Sequence, residues 1–104
     1  MQSKNNAPTA AQKRWREAVR ELDGGGLEIH HPVGVTAKHN KVHIGHWWVI
    51  AVDPQAHKDI HAGKFGKARK AVEKSIFANV LDALKGHADY PPIEVTNAIM
   101  NYQR

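Results

Sequence analysis

Two histidines four residues apart carry the clearest chemical signal in this chain. His57 and His61 lie in the segment Asp53-Pro54-Gln55-Ala56-His57-Lys58-Asp59-Ile60-His61-Ala62-Gly63. On a helix such residues share a face with Cβ atoms about 5–6 Å apart, so their imidazoles can grip one ion. The segment reads as a helix in its own right: Asp53 is a good N-cap, Pro54 suits the first helical position and Gly63 suits the exit. A third ligand must then come from elsewhere. The adjacent pair His30-His31 is the evident donor, because Gly26 to Gly34 reads as a short strand running into a His-His-Pro turn. His39 and His43 are also four apart but have no helix caps around them. With eight histidines in 104 residues, spacing alone is a weak signal. It gains meaning from its setting of strand, His-His turn, apolar strand and capped helix.

Composition narrows what such a cluster could serve. A chain of 104 residues is expected to form one domain with a modest core. Its net charge of +5 makes an anionic partner plausible, though many soluble domains carry as much. The absence of cysteine excludes a Cys-ligated structural zinc and makes the fold insensitive to redox compartment. No apolar run approaches the ~18–20 residues needed to span a membrane, and the N-terminus lacks a signal-peptide core. The cytoplasm is therefore the expected location, with no membrane partner.

Around the histidines, the sequence predicts these elements. Met1 to Pro8 is polar and expected to fray. Thr9 with Gln12 fits a capping box that opens a helix from about Ala10 to Leu22, with Trp15, Ala18, Val19 and Leu22 as its apolar stripe. Lys13, Arg14, Arg16 and Arg20 lie mostly off that stripe. They are either balanced by Glu17, Glu21 and Asp23 or free to meet a nucleic-acid backbone. Gly24-Gly25-Gly26 lacks the surroundings of a phosphate-binding loop and reads as a helix stop and joint. Val35 to Gly45 is too polar for a core element and is expected to form the long loop of a hairpin over the site. Trp47 to Val52 reads as a strand buried on both faces, its tryptophans packing in the core rather than stacking on bases. After Gly63, Lys64, Lys67, Arg69 and Lys70 form an acid-free run and are the candidate nucleic-acid contacts. A helix to about Lys85 follows, with Ala68, Ala71, Val72, Ile76, Val80 and Leu84 as its apolar stripe and Gly86 closing it. Pro91-Pro92 starts a last short helix, with Ile99 and Tyr102 as packing candidates. The expected architecture is α+β.

The pairing of Glu28-Ile29-His30-His31 with Asp53-Pro54-Gln55-Ala56-His57-Lys58-Asp59-Ile60-His61-Ala62-Gly63 resembles the HNH, or ββα-metal, nucleases. The likeness is to the DNase domains of colicins and pyocins, and a chain this short looks similar to the small HNH nucleases that bacteriophages encode for recombination. It covers roughly residues 26 to 63. It implies a ββα-metal core at 27–63 between an N-terminal helix and covering C-terminal helices, within a single domain spanning 1–104. It also implies hydrolysis of DNA phosphodiester bonds with one divalent ion (Zn, Ni, Mn or Mg) held by His30, His57 and His61. His31 would be the general base and Glu28 an acidic residue behind the ligands. RNA stays open as a substrate, and a recombinase or another phage or host DNA-processing protein is an expected class of partner in a bacterial or phage-infected cell.

One position departs from the family. About nine residues before the first helical ligand, where the family usually has an asparagine that pins the loop orienting the base, this chain has Trp48. An indole donates one hydrogen bond and accepts none. The pinning role would pass to His46 or Asn40, of which His46 is nearer in sequence. The alternative function is a metal-stabilised nucleic-acid-binding module that does not cleave.

Overall fold

The computed structural model describes residues 7–34 and 36–102, with Asp23 described by its backbone alone. Most of the segment expected to fray, and Val35, lie outside the described residues. Helix α1 (Ala10–Arg20) opens on a capping box: the Thr9 amide donates to Gln12 Oε1 at 2.7 Å, and the Gln12 amide donates to Thr9 Oγ1 at 3.1 Å. The helix stop and joint expected at the glycines begins as a 3-10 turn over Leu22–Gly25.

Strand β1 (Glu28–His30) pairs antiparallel with β4 (Ile50–Val52), setting Glu28 opposite Val52 and His30 opposite Ile50. Side chains two apart on a strand point the same way, so Glu28 and His30 share one face of β1. Between these strands the chain builds a second hairpin, β2 (Lys38–His39) with β3 (Val42–His43). Its two-residue turn is Asn40-Lys41, with φ of 52° and 67°. Positive φ at both central residues is the turn geometry that matches strand twist. The stretch expected to be one long loop thus carries its own strands.

The strand expected over 47–52 is shorter. The amides of Trp47 and Trp48 both donate to the Ile44 carbonyl at 3.0 Å, forming a tight turn before β4 begins at Ile50. The apolar run is a buried turn followed by a strand. Trp48 is fully buried and packs on Phe77 and Tyr102, which agrees with a core role.

Helix α2 (Pro54–His61) follows β4 directly. Asp53 accepts the Ala56 amide at 2.8 Å. At the other end the Lys64 amide donates to the Asp59 carbonyl, and the Gly63 amide to that of Ile60, with Gly63 at φ 77°. That is a Schellman exit, and it requires the left-handed conformation a glycine supplies. A 3-10 turn at Gly66–Ala68 leads into α3 (Arg69–Ala83), and α4 (Ile93–Asn101) ends the described fold.

The helices enclose the two small sheets. α1 packs on β1 and β4, α2 on β1, α3 on β4, and α4 on the β2–β3 hairpin. Trp15, Val19, Ile44, Trp48, Ile50, Ile60, Phe77 and Ile99 form the centre of the core. The class is α+β, with four helices and two antiparallel pairs among the described residues. Among them, no helix is long and apolar enough to cross a membrane.

The apolar stripe of α3 differs from expectation. Ala68 and Ala71 are exposed, and the buried line is Glu73, Phe77 and Val80. A carboxylate occupies a core position of the helix, and the histidine cluster explains why.

Candidate metal centre

His30, His57 and His61 converge: each offers a ring nitrogen, and these nitrogens lie within 4.8 Å of one another. β1 supplies the buried His30 from the sheet side, and the capped helix α2 supplies His57 and His61 from one face. The Nε2 atoms of His57 and His61 are 3.2 Å apart. Two imidazole nitrogens bound to one tetrahedral zinc, each at about 2.0–2.1 Å, stand roughly 3.3 Å apart. The pair is therefore spaced as ligands of one ion would be.

Two of the three rings are held from behind by carboxylates. His57 Nδ1 lies 2.9 Å from Glu28 Oε1, which turns His57 Nε2 towards His61. His30 Nε2 lies 2.6 Å from Glu73 Oε2, leaving its Nδ1 for a ligand. Carboxylates in this position fix the tautomer and orientation of metal-binding histidines. The donor set and its supports fit a divalent ion.

Glu73 is fully buried. Taking an ionised carboxylate out of water costs several kcal/mol even after relaxation, a large share of the ~5–15 kcal/mol that stabilises a domain. Three partners offset that cost. Besides His30, Arg69 Nε donates to Glu73 Oε2 at 3.1 Å, and Lys70 Nζ reaches Oε1 at 3.5 Å. Burial raises the Glu73 pKa, but these partners together hold it below the usual carboxylate value. Little in the sequence marks Glu73. The available signal is its place at i, i+4 and i+7 with Phe77 and Val80, an acid in line with an apolar stripe.

Comparison with protein-family models, curated proteins and solved structures finds no match to this chain.

His31 follows His30 and is exposed. Partial desolvation of its ring holds the imidazole below the usual histidine range, and the charges of His46, Arg16 and His30 push the same way. At His61 desolvation, followed by the charges of His30, His57 and Arg69, lowers the pKa against an opposing pull from Glu73. Neutral imidazole, which binds metal or accepts a proton, is favoured at both positions. His46 is half-buried and lines a cleft of about 450 Å³ with Thr9, Gln12, Lys38 and His43. Asn40 is a turn residue of the second hairpin.

His39 and His43 belong to that hairpin and not to the cluster. His39 faces Tyr102 edge-on at 6.4 Å between ring centres. Beside His57 and His61 a groove of about 190 Å³ runs between Glu28, Pro54 and Lys58.

The basic run divides. Arg69 and Lys70 are engaged by Glu73, and Lys70 Nζ also donates to the Pro32 carbonyl at 3.2 Å. Lys64 is exposed, with a loose contact to Asp59 at 3.7 Å, and Lys67 is exposed with no ion pair among the described residues. On α1, Arg14 binds Asp89 through two hydrogen bonds of 2.9 and 3.0 Å, and Arg20 pairs with Glu17.

Proposed function

We propose that the chain is a divalent-metal-dependent endonuclease acting on DNA phosphodiester bonds. The observation that carries the reading is the convergence of His30, His57 and His61, with carboxylates fixing two of the three rings. The antiparallel pair β1–β4 followed directly by α2 supports it, since the resemblance implies two strands and a helix around the ion. Three imidazoles leave coordination positions open, the condition for a catalytic rather than a closed structural site.

Each residue then has a defined task. His30 Nδ1, His57 Nε2 and His61 would hold the ion, and Glu28 and Glu73 orient the rings of His57 and His30. When bound, such an ion would supply Lewis-acid stabilisation of the charge that develops at the phosphate. His31 accepts a proton from the attacking water. The water oxygen bonds to phosphorus as the bond to the 3′-oxygen breaks; the 3′-oxygen takes a proton from solvent and His31 returns its proton to solvent, giving a 5′-phosphate and a 3′-hydroxyl. Lys64 and Lys67 offer exposed charge to the flanking backbone, and His46 stands near His31 to orient it.

The test is conversion of supercoiled plasmid by the purified protein with a panel of Zn²⁺, Ni²⁺, Mn²⁺ and Mg²⁺, each beside a chelator control. Nicking that depends on one of these ions is expected. The burial of Trp48, where the family usually has a polar asparagine, favours a second reading: a metal-stabilised nucleic-acid-binding module. Metal and DNA binding without cleavage under any ion would select it.

A further inference from the structure

The contact between His30 and Glu73 joins the first strand to the third helix across 43 residues. Both side chains are sealed from solvent, with exposures of 1% and 0%. Arg69 and Lys70, one turn earlier on α3, point their cationic groups at the same carboxylate. A carboxylate held between two cations is ionised, and an ionised carboxylate only accepts hydrogen bonds. The proton in the His30–Glu73 bond therefore sits on His30 Nε2. The nitrogen left bare in the neutral ring is Nδ1.

We propose that Glu73 is the positioning residue of the metal centre, fixing His30 as its Nε2–H tautomer so that Nδ1 is presented to the ion. The inference rests on the metal reading of the His30–His57–His61 cluster and extends the site to α3. Lys70 completes the arrangement. Its Nζ reaches both Glu73 and the carbonyl of Pro32, so one turn of α3 holds the ring of His30 and the backbone just past His31. It follows that Arg69 and Lys70 act through Glu73 and are not primarily phosphate contacts. Removing a carboxylate that orients a metal-bound histidine typically lowers metal affinity by about 10- to 100-fold.

The experiment has two readouts. In apo wild-type protein labelled with ¹⁵N-histidine, the His30 ring is expected to show a protonated Nε2 and a bare Nδ1. A bare Nε2 would overturn the proposal without any variant being made. Calorimetric Zn²⁺ titration of wild type and Glu73→Gln then measures the effect. The amide keeps the shape but can donate as well as accept, so it no longer dictates the tautomer. A loss of Zn²⁺ affinity of about 10-fold or more with a changed His30 tautomer is expected. Wild-type binding of Zn²⁺ with Glu73→Gln within twofold, or an unchanged tautomer, would overturn the role of Glu73 alone. Wild-type protein that takes up no Zn²⁺ would overturn the metal centre itself and the inference with it.

Discussion

His57 and His61 present their Nε2 atoms 3.2 Å apart on one face of α2, and Glu28 secures the far side of the His57 ring. His39 and His43, with the same spacing in sequence, lie instead in a two-residue-turn hairpin. Replacing His57 or His61 with Ala should reduce Zn²⁺ or Ni²⁺ affinity by well over 10-fold, while His39→Ala and His43→Ala leave it nearly unchanged. Calorimetry on the four variants checks this. Equal losses at all four positions would mean that the hairpin histidines belong to the site.

Glu28 is half-exposed, unlike the sealed Glu73, so its hydrogen bond to His57 competes with water. Glu28→Ala should therefore fall near the lower end of the ~10- to 100-fold range for such carboxylates. A metal titration showing a larger loss than Glu73→Gln would reverse the ranking of the two supports.

The division of the basic run predicts different salt behaviour for its two halves. On duplex DNA, removing one cation that neutralises a phosphate should reduce the magnitude of the slope of log K against log salt by about 0.9. Replacing Lys64 and Lys67 together with Gln should lower it by roughly 1.8 without changing sequence preference. Arg69→Gln should leave the slope close to that of wild type. An unchanged slope in the Lys64 and Lys67 double variant would remove this segment from the DNA interface.

Trp48 separates the family pattern from this fold. Trp48→Asn introduces the residue type usual in the nucleases that the sequence resembles, but here it would put an amide beside Phe77 and Tyr102 in the core. Losing a buried aromatic costs about 3–5 kcal/mol, and an unsatisfied amide adds to that. Urea denaturation should show a stability loss of at least ~3 kcal/mol and no gain in cleavage. A stable, more active variant would show that the loop accepts the family arrangement.

The local elements are legible in the sequence because their signals are local. Thr9 with Gln12, and Asp53-Pro54 with Gly63, mark helix ends through bonds spanning three to five residues, and the structure places those bonds as expected. The convergence of His57 and His61 follows from helical spacing alone. The second hairpin is hidden because Asn-Lys lacks the glycine that usually announces a two-residue turn. The run from Trp47 to Val52 hides its turn because continuous apolarity reports burial and not backbone direction. Glu73 is the least legible. An acid four residues after an arginine resembles an exposed helix pair, and only the strand 43 residues earlier reveals its buried partner.

The Arg14–Asp89 pair ties α1 to the loop before α4, and Arg14 holds the Asp89 carboxyl below its usual range. A carboxylate whose folded pKa is depressed stabilises the fold above its unfolded value, about 3.9, and loses that contribution as pH falls through the folded value. Asp89→Asn should therefore melt below wild type at pH 6 to 7. The gap should close as the pH is lowered through the depressed folded value. Thermal melts across this range check it; a gap that is constant with pH would assign the loss to packing.

The proposed hydrolysis turns on His31. A general base contributes to proton transfer and not to holding the ion, and such help is worth about 10²–10⁴-fold in rate. The decisive measurement is the single-turnover cleavage rate of His31→Ala on supercoiled plasmid, with Zn²⁺ and DNA affinity measured on the same preparation. Near-normal affinities and a rate reduced by at least ~100-fold are expected. A His31→Ala protein that nicks at the wild-type rate would contradict it.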